Sequence, residues 1–239
     1  CDPAQRLRAE KEGRTMEAIR HSAAVAKREW KAYFHSPVAY IFIIIFLALA
    51  GFFTFSVGSF YEAGQADLRI FFFWHPWLYL ILVPAVAMRL WAEERRMGTM
   101  ELLFTLSVTP MQAIAGKMAA AWGFLCLALA LTFPIPLTAG WLGNPDWGVV
   151  ASGYLSSALL AGAYLAVGLF TSALTRNQVI SFVLAVVGGL FLILAGYEPV
   201  TTLLSQWAPR WLVDGVAAAG FMTHFQAMQR GVLDLRNFV

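Results

Sequence analysis

Five long runs without a single Asp, Glu, Lys or Arg constrain this chain more than any other feature. They are Val38–Val57, Ile70–Met88, Met118–Leu142, Val149–Leu174 and Val179–Tyr197. About 20 consecutive apolar residues cross the hydrocarbon core of a bilayer. A water-soluble protein with five buried helices would need a polar face on most of them, and these runs have none. Composition agrees: 59% of residues are hydrophobic and 13% charged, where an ordinary soluble domain has roughly 25% charged residues. The expected fold is an all-α integral membrane protein with five transmembrane helices.

The basic residues set an orientation. Thirteen of the 17 Lys and Arg fall before the first run, between the second and third, or in the tight turn at Arg176, against four on the other side. This bias places the N-terminus in the cytoplasm. The net charge of +3 is then a topology signal. No basic surface interleaved with stacking aromatics points to nucleic acid. The two cysteines, Cys1 and Cys126, define no redox compartment. Basic residues after Cys1 argue against a lipidated terminus, and Met16 is a candidate start.

Residues 1–16 read as a disordered N-terminal extension. Residues 17–36 read as an interfacial amphipathic helix, with Val25, Trp30, Tyr33 and Phe34 toward the bilayer and Lys27, Arg28 and Lys31 within reach of lipid phosphates. A solvated helix is the alternative. Ser36-Pro37 sets an N-cap before a proline at the first helical position, opening a single membrane domain over residues 37–239.

Between the second and third runs lies EERRMGTMELLFTLSVTPMQAIAGK, residues 93–117. Met97, Met100, Leu103 and Phe104 recur on one helical face, with Glu94, Glu101 and Thr105 on another and Gly98 between the first two methionines. Thr109-Pro110-Met111-Gln112 is a capping box that starts a new helix. Methionines suit a surface that repacks against a partner, and Glu93 and Glu94 offer carboxylates to that partner. Amphipathicity alone does not separate this reading from a helix resting on lipid headgroups.

Two segments resemble the permeases of type-2 ABC transporters, closest to the gliding-motility (GldF-like) branch. One is Arg28-Glu29-Trp30-Lys31-Ala32-Tyr33-Phe34-His35-Ser36-Pro37, followed by Val38-Ala39-Tyr40-Ile41; the other is Glu93-Glu94-Arg95-Arg96-Met97-Gly98-Thr99-Met100-Glu101-Leu102-Leu103. A third, Arg230-Gly231-Val232-Leu233-Asp234-Leu235-Arg236, is similar to the family's stretch before its last membrane helix. The resemblance implies a subunit of the bacterial inner membrane that forms a translocation path with a second permease half, itself or a related chain. It also implies a cytoplasmic ABC ATPase as partner, with ATP and Mg bound there and no cofactor in this chain. The coupling helix would correspond to Glu93–Leu106, with Glu93, Glu94, Arg95, Gly98, Thr99, Glu101 and Leu102 contacting the ATPase. Family members have six spans per half, so the sixth is expected to be missing after Asn237.

No catalytic constellation competes with this reading. His75 reads as an interfacial residue, and Glu198 as a loop carboxylate. Ala115-Gly116-Lys117-Met118 lacks the other residues of a phosphate loop, so the chain is expected to be no enzyme by itself. A secondary transporter would keep ionisable groups at midplane, where this chain shows only prolines 84, 134 and 136. That carrier and a non-transporting scaffold remain the alternatives. Gly153, Ser157, Ala161 and Gly162, with Gly188, Gly189 and Gly196, allow close helix approach. Packing within one half is the ordinary reason. Trp207 and Trp211 suit an outer interface, and Thr223-His224-Phe225-Gln226 reads as a second capping box.

Overall fold

The computed structural model describes residues 3–58, 60, 67–98, 109–143, 145–206 and 208–229. For 3–15, 212, 219, 224, 226, 227 and 229 it describes the backbone path alone. Among the described residues regular structure is entirely helical: α1 Pro3–His35, α2 Pro37–Phe52 with a π-helical turn Phe53–Val57, α3 Arg69–Phe73, α4 His75–Ala87, and α5 Arg89–Met97. There follow α6 Pro110–Ala130, α7 Pro134–Leu142, α8 Trp147–Leu174, α9 Gln178–Ala195, α10 Glu198–Ser205, α11 Arg210–Ala219 and α12 Phe221–Gln229.

Four of the helical stretches are long and apolar enough to cross a membrane: Pro37–Val57, Pro110–Leu142, Trp147–Leu174 and Gln178–Ala195. Their outward side chains are apolar too. On α9 alone Val179, Ile180, Val183 and Phe191 are 67%, 50%, 50% and 69% exposed. Such a continuous apolar exterior is costly in water and compatible with a multi-pass membrane protein.

The segment expected as the second span is not among these four, because it is broken twice. A turn at Trp74 separates α3 from α4, and Pro76 starts α4 where its missing N–H costs nothing. The second interruption, at Met88, begins α5. With 13 residues, α4 is about 20 Å long, short of the roughly 30 Å hydrocarbon core. Pro84 lies inside α4 without ending it. The third run also bends: α6 stops at Ala130 and the chain resumes helix at Pro134. There Thr132 Oγ1 donates to Leu129 O at 2.6 Å and shares a 2.9 Å hydrogen bond with Tyr154 Oη.

Start signals behave as their chemistry requires. Ser36 caps α2, its Oγ accepting from Val38 N at 3.4 Å. Thr109 and Gln112 form both halves of the capping box before α6. Asp146 and Asn177 cap α8 and α9. Thr223 does not cap: α12 already starts at Phe221, and its hydroxyl donates back to Ala217 O at 3.1 Å. The extension expected to be disordered takes helical form from Pro3 onward, continuous with residues 17–35.

The core centres on α8, whose Leu160, Ala161, Tyr164 and Leu165 are buried against α4, α6, α9 and α12. Small residues make the close approaches within the chain. Gly153 abuts the Phe72 ring, Gly168 the Ala87 methyl, and Gly189 the Tyr164 ring. His75, expected at an interface, is fully buried instead. Phe46, Phe71, Phe72 and Tyr79 surround its ring, and Nδ1 lies 2.9 Å from Phe71 O.

Candidate functional site

Two of the charged residues singled out by sequence, Arg28 and Glu94, meet Glu29 and Lys117 where α1, α5 and α6 come together. The corner between α4 and α5 is made by one hydroxyl from α8. Ser172 Oγ accepts from the amides of Trp91 and Ala92, each at 3.0 Å, and donates to Met88 O at 3.1 Å. A hydroxyl has one hydrogen and two lone pairs, so Ser172 is fully used. A side chain entering the backbone ladder in this way redirects a helix. Nothing in the sequence marks Ser172, which is one small residue on a face of many.

Past the corner, α5 buries Leu90, Trp91 and Ala92 and carries Arg95 and Arg96 in its last turn, where cations complement the helix dipole. It ends at Gly98, the one described glycine with positive φ (70°), in a left-handed C-cap. A helix running through Glu93–Leu106 is therefore interrupted at Gly98. Thr99, Glu101 and Leu102 lie outside the described residues. Glu93 faces Arg89 one turn earlier at 3.7 Å, both side chains more than a third exposed. Arg95 is half-buried, Arg96 exposed, and Met97 61% exposed.

Glu94 points inward rather than outward as expected. Its Oε1 lies 2.9 Å from Nζ of Lys117, a lysine on α6 only 2% exposed. The same ammonium reaches Glu29 Oε1 on α1 at 3.2 Å and sits 5.2 Å from the centroid of the Trp91 ring. Arg28 closes the set, 2.9 Å from Glu29 and 3.5 Å from Glu94. Two cations thus meet two carboxylates. Burial pushes the Glu29 carboxyl up, but the ammonium of Lys117 and the guanidinium of Arg28 outweigh it and hold it below the usual range.

This cluster also corrects the picture of α1. Its apolar stripe covers α6, not lipid. Val25 packs on Gly116, Trp30 on Gly123, and the Tyr33 ring stacks on Phe124 with centroids 5.0 Å apart. Glycines 116 and 123, two turns apart, give α1 the room to approach. Burial and the nearby Glu29 carboxylate raise the Tyr33 hydroxyl well above its ordinary value. Lys27 and Lys31 remain exposed, whereas Arg28 is drawn to the carboxylates.

The arrangement contains no nucleophile–base pair. It is a rigid, charge-locked platform presenting the tip of α5. No protein-family model matches the chain, and no curated protein matches it.

Proposed function

We propose that this chain is the membrane-spanning permease subunit of an ATP-binding-cassette exporter, coupled to a separate cytoplasmic ATPase. The observation that carries the reading is the Gly98-capped end of α5. A charged helix tip follows the break at Met88 and is tied to α1 and α6 through Lys117. Its sequence, EERRMGTMELL, is the stretch most similar to the ATPase-contacting loop of type-2 permeases. In this reading the chain crosses the bacterial inner membrane five times, with the broken α3–α4 segment as the second crossing and the N-terminus in the cytoplasm. A second permease half completes the path.

The roles of the paired acids divide. Arg95 faces the ATPase, Glu93 pairs with Arg89, and Glu94 holds the platform together. Co-purification and reconstitution with the ATPase test this. The permease should raise ATP hydrolysis in lipid vesicles, and Arg95→Glu should abolish the increase while leaving the protein in the membrane. Unchanged stimulation in Arg95→Glu removes the assignment of that residue. Failure of any ATPase to bind removes the reading.

A further inference from the structure

A cavity of about 310 Å³ runs between α2, the end of α1 and the α4–α5 segment. It lies at the lower end of the roughly 300–1,000 Å³ common for small-molecule sites. Its two long walls are helical stripes. Val38, Ile41 and Ile45 of α2 face Leu82, Ala85 and Val86 of α4. The three α2 side chains are 44%, 54% and 42% exposed, so the slot opens sideways onto the same apolar exterior as the candidate spans. Going from Leu82 to Arg89, seven residues or about 10 Å of helix, the lining changes from aliphatic to charged: Arg89 and Glu93 stand at that end with Glu29 and Ser36.

We propose that this slot is a binding site for an aminophospholipid of the phosphatidylethanolamine type, with one acyl chain between α2 and α4 and the headgroup on α5. The inference needs the chain to lie in a bilayer; it does not need the permease reading. Charge complementarity selects the headgroup. The Arg89–Glu93 pair is long at 3.7 Å, with side chains 37% and 40% exposed, so both groups keep bonding capacity. A guanidinium fork matches two phosphate oxygens, and the Glu93 carboxylate accepts from a primary ammonium. An anionic headgroup would meet Arg89 but be opposed by the Glu93 carboxylate beside it. A choline headgroup has no N–H to donate to the Glu93 carboxylate.

The test uses the purified full chain, without any ATPase, in nanodiscs doped with phosphatidylethanolamine bearing a photoactivatable group high on one acyl chain. Cross-links are expected on residues 38–45 and 82–86. An excess of unlabelled phosphatidylethanolamine should reduce them at least tenfold, and equal amounts of phosphatidylglycerol or phosphatidylcholine less than twofold. Ala85→Trp, which fills the slot, and Glu93→Gln, which removes the ammonium acceptor, should each lower labelling at least fivefold. Should Ala85→Trp not fold, Glu93→Gln and Arg89→Gln decide the matter from the rim. Equal competition by all three lipids, or labelling indifferent to the variants, would overturn the proposal.

Discussion

Replacing Lys117 with methionine tests the charge-locked platform directly. The substitution keeps an unbranched apolar stem and removes only the ammonium, which is 2% exposed and lies within 3.2 Å of two carboxylates. Glu29 and Glu94 side chains are 17% and 16% exposed, so water replaces little of the lost attraction. Breaking a buried pair by deleting one partner costs about 3–5 kcal/mol. Because Arg28 still touches Glu29 at 2.9 Å, the lower end, about 3 kcal/mol, is expected. Adding Glu94→Gln to Lys117→Met should then restore at least about 1 kcal/mol, since interacting sites couple by roughly 0.5–3 kcal/mol. Reversible unfolding in mixed micelles, followed by tryptophan fluorescence, measures all three. Acid adds a signed check. Glu29 is held below its ordinary value of 4.5, so its contribution is complete above that pH and is lost as pH falls through the lower folded value. The gap between wild type and Lys117→Met should therefore shrink on acidification below about pH 4.5. A cost under about 1 kcal/mol, far below that of a broken buried pair, or a double variant worse than the single, refutes the reasoning.

Other outcomes follow from single contacts. Gly98→Val should cost about 1–2 kcal/mol, the left-handed penalty of a side chain, since its new Cβ meets nothing within 4 Å; Gly98→Asn should cost less, and denaturant midpoints compare them. Ser172→Ala strands two amides and a carbonyl, each unsatisfied group costing about 1–3 kcal/mol, and hydrogen exchange should accelerate at Trp91 and Ala92. Gly168→Val drives a branched side chain into Ala87, and overpacking of about 1–3 kcal/mol should lower the thermal midpoint more than Gly51→Ala, where the added Cβ meets nothing within 4 Å.

What could be read from the residues depended on how local the cause was. The four long helices and their Ser, Thr, Asp and Asn caps follow from apolar length and side chains two or three residues from the amides they serve. The first break in the second apolar run has a local signal in Pro76, two residues after Trp74, whereas the interruption at Met88 is supported by Ser172, 84 residues away. Long-range pairing also defeated the reading of Lys117. By sequence it is one more basic residue between the second and third runs, yet its partners lie 88 and 23 residues distant. The stripe on α1 was legible as apolar, but sequence could not say whether lipid or protein would cover it. Glycines 116 and 123 held that answer. His75 failed for a similar reason, its aromatic surroundings being drawn from α2, α3 and α4.

Sharing one oxygen atom among three main-chain groups has a mechanical result. Between α4 and α5 that atom ties the chain to α8, so drawing α8 away would leave two amides and a carbonyl without their partner. Displacing the start of α5 relative to α8 therefore breaks hydrogen bonds rather than merely bending a helix.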